Sequence, residues 1–505
     1  MAYLYETFKT QALHFAVKTA LISQGVSYSY AHILEQADLW ADFISSRYSK
    51  RPRIALLFDD PFFNITLSLA IAKLDGACIP TNKQMLPAQM ENGWQSCDVN
   101  IVIYEPIFSS KISACAPNKY IYISTEELNS KHTPLPQSTS SWSHETDYLI
   151  TLSSGSTGTP KPIVVSQEVK VKRAQQTWDL YNLSDNDVVL CASPYFHSMG
   201  QRLIFVPLLL GATVVYLSEF TPNEWINLVE KHKVSFIICV SSHLYALKDA
   251  LFRNTHKLSS LKTIVTSSAP IDAEFKKHLF EKAGCNFHEI YGATEVAVAS
   301  KLAPEHATAK FSTVGLPCKD VSIKILNDDL NEIPIGEIGE IAVKSPLAFE
   351  GYYKQDALTQ SSHASQYFLT GDLGSIDQEG FLSYVSRKKD VIISGGINIY
   401  PLDIEKILLS HPAIKEVAVI GVKDTLLGEV VIAICIPQDN NNVEQELRKL
   451  ANANLATFQQ PLKYFFTDRL PLTPSGKISK IELRKIYNPL NKDWTLPLRI
   501  FKYGE

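Results

Sequence analysis

Short, uninterrupted apolar runs alternate with longer stretches of helical spacing through most of the chain. RIALLF (53–58) precedes the helix-like FNITLSLAIAKLDGA, and VNIVIYE (99–105) follows another helical stretch. VVLCAS (188–193), TVVYLS (213–218), SFIICV (235–240) and KTIVTSS (262–268) continue the series, with segments of helix length between most of them. A strand that is apolar throughout is covered on both faces, and strands separated by helices run parallel. The pattern predicts an α/β body of helix-covered parallel sheets. RLIFVPLLLGATVVYL (202–217), the most apolar run, is broken by Pro207 and Gly211 and is too short for a bilayer. It predicts a helix followed by a buried strand, and no transmembrane segment.

After about residue 310 the pattern changes to β-hairpin material, VSIKILNDDLNEIP and then GEIGEIAVKS. From 397 onward a compact unit follows: a helix from Pro401 to about Ser410, strands VAVIGV and VVIAICIP, a helix near 443–455, the strand KYFFTD and a terminal helix ISKIELRKIY. That mixture suits a small α+β domain. Between them HTPLPQSTSSWSHET (132–146), polar and rich in Ser, Thr and Pro, reads as a surface connection.

Composition narrows the function classes. With 505 residues, 45% apolar and 20% charged, the chain has the make-up of an ordinary globular protein of several units. The net charge of -4, with no long basic block, supplies no concentrated positive field, so nucleic acid is excluded as a partner. The cysteines at 78, 97, 115, 191, 239, 285, 318 and 435 form no CxxC pair, which argues against a zinc ribbon or a disulfide framework and for reduced thiols. MAYLYETFKTQALHF lacks the basic-then-apolar order of a signal peptide. A cytoplasmic protein is expected.

The run DYLITLSS reads as a strand entering TLSSGSTGTPKP (151–162), which turns sharply before a helical stretch from about Gln167. Glycine lets backbone approach an anion, Ser and Thr hydroxyls donate hydrogen bonds, and Lys161 adds a point charge, so the stretch suits a phosphate. Its spacing is not that of a Walker A loop, and such a stretch alone is more often an ordinary surface turn. EIYGATE (289–295), after the strand-like NFHEI, offers a tyrosine able to stack on a base, a hydroxyl, and a carboxylate able to hold a hard cation. It is also a plain strand end with a surface glutamate. LTGDLG (369–374) sets Asp372 in a tight turn, where a carboxylate accepts from a ribose or merely stabilises the turn. SRKKDVIISGGINIYPLDIE (386–405) and PLTPSGKISK (471–480), with Lys477 on a Gly-containing loop, complete the series.

Taken together and in this order, the segments resemble the acyl-adenylate-forming (AMP-binding) superfamily, closest to the acyl-CoA synthetases and acid-CoA ligases. The resemblance spans 151 to 480. It implies an N-terminal domain over 1–386 that binds acid and ATP, built of helix-covered parallel sheets plus a β-rich subdomain. It further implies a hinge at 387–390 and a small, mobile α+β domain over 391–505 that carries the catalytic lysine. By resemblance, Ser153, Ser154, Gly155, Ser156, Thr157, Gly158 and Lys161 hold the β- and γ-phosphates. Thr294 contacts the α-phosphate, Glu295 the Mg2+, Tyr291 and Gly292 the adenine, and Asp372 and Arg387 the ribose. Lys477 bridges the reacting carboxylate and the α-phosphate, where a compact cation relieves the repulsion between two anions. Lys389 occupies the hinge position. The chain departs from the family pattern at Pro162, Gln167 and Ser386, none of which removes a functional side chain.

SPYFHSMGQRL (193–203) aligns with the family's acyl-pocket motif and lacks the aspartate that pairs with an amino-acid substrate's amine. His197 matches the gate of aryl- and fatty-acid ligases, and is alternatively a packed histidine at a strand end. Ser241, Ser242, Ser267, Ser268, Ala269, Val296 and Ala297, small or apolar, match the pocket walls, so a hydrophobic small-molecule carboxylic acid is expected. Ser394, Gly395 and Gly396 match the passage for a pantetheine arm. The acceptor is then CoA or the phosphopantetheine of an acyl carrier protein. The function expected is activation of a fatty or aryl acid as its acyl-AMP, then thioester formation with CoA. Loading of a carrier protein and non-catalytic nucleotide binding are the alternatives.

Overall fold

The computed structural model describes residues 3–48, 51–129, 147–153, 161–253, 256–267, 271, 273–438, 443–473 and 477–487. Among these, a nine-stranded sheet runs in the order Leu316–Pro317, Ala297–Leu302, Asn286–Ala293, Thr263–Ser267, Phe236–Val240, Val188–Cys191, Thr213–Tyr216, Thr19–Ser23, Val26–Ser29. Its inner strands pair in parallel, as their continuous apolar character requires, and its edges are antiparallel. A seven-stranded sheet follows the order Gly351–Tyr352, Lys161–Val165, Leu149–Ser153, Ala77–Pro80, Arg53–Leu57, Ile101–Tyr104, Ile121–Ser124.

The helices Tyr3–His14, Pro61–Lys73, Gln167–Tyr181 and Ser198–Leu210 share one apolar core with residues of both sheets. Pro61–Lys73 is buried on nearly every face, which explains why its sequence is apolar all round rather than striped. It begins where Asp60 accepts from the Phe62 N–H at 2.9 Å, with Pro61 at the first helical position, where its missing N–H costs nothing. Gln167, where the family frequently has His, serves this core: it accepts from the Leu4 N–H at 3.2 Å and donates to the Ala72 carbonyl at 3.0 Å.

The helix expected from about Gln167 begins there, and between it and the Ser/Thr/Gly stretch Lys161–Val165 adds a strand antiparallel to Leu149–Ser153. Pro162 lies inside that strand, buried, its carbonyl accepting from the Tyr353 N–H at 2.9 Å. Antiparallel hairpin strands extend both of the helix-covered parallel sheets.

A five-stranded antiparallel sheet contains Ser322–Leu326, Gly339–Lys344, Tyr367–Ile376, His363–Ala364 and Leu382–Arg387. After the short turn Lys388–Asp390 the chain enters a last sheet of Ile392–Ser394, Ile397–Ile399, Ile414–Asp424, Gly428–Pro437 and Lys463–Phe466. Alternate residues of Ile414–Asp424 feed different cores. Val417 and Val419 face the helices Pro401–Leu409 and Glu444–Asn454, while Ala418, Ile420 and Val422 face Lys480–Tyr487. This unit is the small α+β domain expected from the sequence.

The cysteines are free, and all but Cys285 are buried. Among the described residues no helix is long and apolar enough to cross a membrane. Beneath the strand Asn286–Ala293, Lys276 and Glu289 form a buried ion pair, and Lys276 also donates to the Thr313 carbonyl at 3.3 Å. Removing one partner strands the other charge out of water. Lys276→Met is therefore expected to lower the unfolding free energy by about 3–5 kcal/mol, read by urea denaturation. A loss below about 1 kcal/mol, the range of solvated pairs, would contradict this.

Candidate active site

The functional segments collect at the carboxyl ends of the inner strands of the nine-stranded sheet, where open α/β sheets bind ligands. Asn286–Ala293 ends in the turn holding Thr294 and Glu295, and Val188–Cys191 leads to Phe196, His197 and the helix Ser198–Leu210. Phe236–Val240 runs directly into the helix Ser241–Arg253. Ser198 and Thr294 join two of these segments, their hydroxyl oxygens 3.2 Å apart. Phe196 and the half-buried His197 lie ring against ring, centroids 4.4 Å apart. Close packing fixes both turns. A Cβ at Gly200 would sit 2.1 Å from the Pro194 carbonyl oxygen, and one at Gly292 would sit 2.0 Å from that of Ala297. Val296 is fully buried behind the Thr294–Glu295 turn, and Ala297 takes a φ of 63° to close it.

The antiparallel sheet supplies the opposing wall. Asp372, expected in a tight turn, stands instead within the strand Tyr367–Ile376 as the direct cross-strand partner of Arg387, whose Nε donates to Asp372 Oδ1 at 2.9 Å. Tyr291 Oη donates to the other carboxylate oxygen at 2.8 Å, and an Arg387 Nη1 donor reaches the Thr370 carbonyl at 3.2 Å. Burial pushes the Asp372 carboxyl above its ordinary value, opposed by Arg387, by the Tyr291 hydrogen bond and by Lys477. Tyr291 is thus a buried core residue tied to Asp372, while its neighbour Gly292 is exposed.

Lys161, Lys389 and Lys477 stand near this wall. Lys161 Nζ lies 5.3 Å from the centroid of the Tyr352 ring, and Tyr352 Oη donates to Glu295 Oε1 at 3.0 Å. Burial, then the like charge of Arg387, holds Lys389 below the usual lysine range; Arg484 and Lys161 add to the effect and Asp390 opposes it. Lys477, on the small domain, brings its ammonium into the fields of Arg387 and Asp372 on the antiparallel sheet. Desolvation and Arg387 lower its pKa, and Asp372 opposes them.

Other expected site residues lie elsewhere. Ser394, Gly395 and Gly396 form a hairpin tip beside the turn Leu426–Gly428, with Gly395 N–H donating to the Leu427 carbonyl at 2.8 Å. Gly395 and Gly396 have φ of 57° and 82°, which only glycine takes without strain. Ser241 Oγ and the Ser267 carbonyl are 3.5 Å apart, and Ser242 is exposed. Ser154, Gly155, Ser156, Thr157, Gly158, Ser268 and Ala269 lie outside the described residues, and of Ser153 only the backbone pairing with Lys161 is described.

Arg173 and Tyr352 bond to the Thr294–Glu295 turn and were not legible in the sequence. Arg173, on the helix Gln167–Tyr181, donates to the carbonyls of Thr294 and Leu347. Spacing held one clue, since Lys170, buried, stands one helical turn from Arg173 on the same face.

A buried carboxylate that accepts from Arg387 and Tyr291, in the field of a lysine from the small domain, suits a nucleotide-using enzyme. The chain belongs to the AMP-binding enzyme family: that family's pattern matches residues 8–353, and that of the AMP-binding enzyme C-terminal domain matches 403–477. It is 28% identical to a feruloyl-CoA synthase of Amycolatopsis sp over 478 residues, covering 92% of this chain and 95% of that one. It is 29% identical to an indoleacetate-CoA ligase of Aromatoleum aromaticum over 487 residues, covering 93% and 95%. Its fold matches that of an o-succinylbenzoate coenzyme A synthetase from Bacillus subtilis, solved with ATP and magnesium ion, with a TM-score of 0.85 and 25% identity over 95% of this chain and 98% of that one. The chain is an AMP-forming ligase that uses ATP to activate a carboxylic acid as its acyl-adenylate.

Proposed function

We propose that the acid is a hydrophobic one with no charge beyond its carboxylate, aryl in preference to fatty, and that the acyl group passes from AMP to the thiol of CoA. The observation that carries the adenylation reading is the buried Asp372 carboxylate held by Arg387 and Tyr291, with Lys477 of the small domain in its field. Support for the acid comes from the aromatic pair Phe196–His197 beside the Ser198–Thr294 contact, and from pocket positions Ser241, Ser242, Ser267, Val296 and Ala297, none ionisable. The two relatives named for ferulate and indoleacetate act on aryl acids.

In this reading Lys161 and the 153–158 stretch hold the β- and γ-phosphates of ATP, and Thr294 meets the α-phosphate. Gly292 offers bare, exposed backbone to the adenine beside the buried Tyr291, and Asp372 with Arg387 holds the ribose. Lys477 lies between the acid's carboxylate and the α-phosphate and offsets the charge that accumulates there as the carboxylate oxygen attacks and pyrophosphate leaves. His197, with Phe196, bounds the acid.

Glu295 fits Mg2+. One carboxylate oxygen is engaged by Tyr352, and no group of three or more His, Cys, Asp or Glu side chains gathers among the described residues. Mg2+ is commonly held by one or two carboxylates together with substrate phosphates and water. When bound it would neutralise phosphate charge.

The turn Lys388–Asp390, with Lys389 at its centre, is the hinge between a large unit over 1–386 and a small one over 391–505. Ile393, Ile397, Leu426 and Leu427 surround Ser394, Gly395 and Gly396 and are exposed in this arrangement. An exposed apolar cluster of this kind suits a surface that is covered once the small domain turns, with the glycines leaving room for a pantetheine arm.

The test is a hydroxylamine-trapping panel of aryl, fatty, short-chain and amino acids, followed by acyl transfer to CoA or to purified carrier proteins. Aryl acids should exceed the others by at least about tenfold in kcat/KM, the span of one well-filled apolar contact. A preference for amino acids would overturn the substrate assignment, and transfer to carriers alone would overturn the acceptor.

A further inference from the structure

We infer that Arg173 is the positioning residue that holds the Thr294–Glu295 turn in its working geometry. The inference rests on the roles proposed above for Thr294 and Glu295, and adds the part of the molecule that makes those roles possible.

Arg173 lies on the helix Gln167–Tyr181, begun by the Ser166 cap that accepts from the Val169 N–H at 3.3 Å. Its guanidinium reaches out of that helix to two chain segments far away in sequence. One Nη1 donor meets the Thr294 carbonyl at 2.9 Å and an Nη2 donor meets that of Glu295 at 3.3 Å. Nη2 and Nε also converge on the Leu347 carbonyl, at 2.8 and 3.0 Å. A planar fork with five donors can serve three carbonyls at once, which an ammonium on a flexible stem cannot do in the same plane.

The second segment matters as much as the first. The Phe349 N–H donates to the Glu295 carbonyl at 2.6 Å, and three residues further on Tyr352 donates to the Glu295 carboxylate at 3.0 Å. By joining Leu347 to Thr294 and Glu295, Arg173 fixes the backbone of the glutamate and also the segment that aims its side chain. The Thr294 hydroxyl, on the same turn, meets Ser198 at 3.2 Å. The tight Gly292–Ala297 contact limits how the turn can relax from its other end.

Burial, followed by the like charge of Arg202, lowers the Arg173 pKa to about 10, while Glu295 and Glu350 oppose the shift. The guanidinium therefore stays charged at neutral pH in surroundings that desolvate it. That cost suits a fixed geometric task better than a solvated one.

The experiment compares Arg173→Lys, Arg173→Ala and Glu295→Gln in the full-length enzyme, each checked for folding by circular dichroism and thermal melting. The readouts are acid-dependent pyrophosphate release and the Mg2+ concentration giving half-maximal rate. Displacing a reacting group by about 1 Å costs on the order of a hundredfold. Folded Arg173→Lys should lose about tenfold to a hundredfold in kcat and need several-fold more Mg2+. Guanidinium ion added to Arg173→Ala should restore part of the rate and shift the Mg2+ midpoint back. A residue that only stabilises the fold would lower the melting temperature and leave kcat and the Mg2+ midpoint of the folded fraction unchanged, and that result overturns the inference. If Glu295→Gln also leaves the Mg2+ midpoint unchanged, the assignment of Glu295 fails instead. A large Glu295→Gln effect beside wild-type Arg173→Lys behaviour contradicts the inference about Arg173 alone.

Discussion

Lys477→Ala is expected to reduce acid-dependent pyrophosphate release by roughly 10²–10³-fold, the cost of removing one preorganised donor from a site of developing charge. The fold should survive, because the hydrogen bonds that hold Lys477 in place do not involve its side chain. The Thr473 N–H donates to the Lys477 carbonyl at 2.6 Å, and the Lys477 N–H to the Thr473 hydroxyl at 3.1 Å. What the substitution removes is an ammonium beside Arg387 and Asp372, where a carboxylate and a phosphate must approach each other. The same surroundings set a pH dependence. Desolvation and Arg387 hold the Lys477 pKa below the ordinary lysine value. The lysine acts in its protonated form, so kcat/KM should fall as pH rises through this lowered pKa, at a lower pH than an unperturbed lysine would give. A steady-state profile in Lys477→Arg, whose guanidinium does not titrate in this range, should lose that alkaline limb.

Asp372→Asn is expected to raise KM for ATP by about a hundredfold. Two charge-assisted hydrogen bonds converge on this carboxylate, and bonds to charged groups are each worth about 1.5–3 kcal/mol. The asparagine keeps the shape, but its amide group offers a donor where Arg387 and Tyr291 already donate. The array that would meet a ribose is then disordered. Stability should fall as well, because Arg387 and Tyr291 each lose a charged acceptor, so the ATP kinetics are read on the folded enzyme. Kinetics with varied ATP, alongside thermal melts, check this. A KM within about threefold of wild type, the scatter expected of single-site effects, would remove Asp372 from the nucleotide site.

The parts of this molecule that were readable in the sequence are those set by local chemistry. Strands such as Val188–Cys191, Phe236–Val240 and Thr263–Ser267 announce themselves by continuous apolar runs, because burial on both faces leaves no polar position. The small domain was equally plain from its helix and strand periods. Lys161–Val165 was not, since a proline at its second position argues against a strand, and the partner that makes it one is Leu149–Ser153 across a turn. The hairpin Thr19–Ser23 and Val26–Ser29 was missed for a related reason: Thr19–Ser23 pairs with Thr213–Tyr216, far along the chain. In the site, the side chains proposed to meet a ligand directly stand in recognisable motifs. Arg173 and Tyr352 act through the backbone and side chain of Glu295, and no local pattern encodes a contact made only when three distant segments meet.

The most direct test of the account is to incubate the enzyme with ATP, Mg2+ and an aryl acid, without CoA, and to identify the nucleotide product by mass spectrometry. The account predicts an enzyme-bound aryl-AMP with release of pyrophosphate, lost in Lys477→Ala. Formation of ADP with an acyl phosphate, or an aryl-AMP made at the wild-type rate by Lys477→Ala, would contradict it.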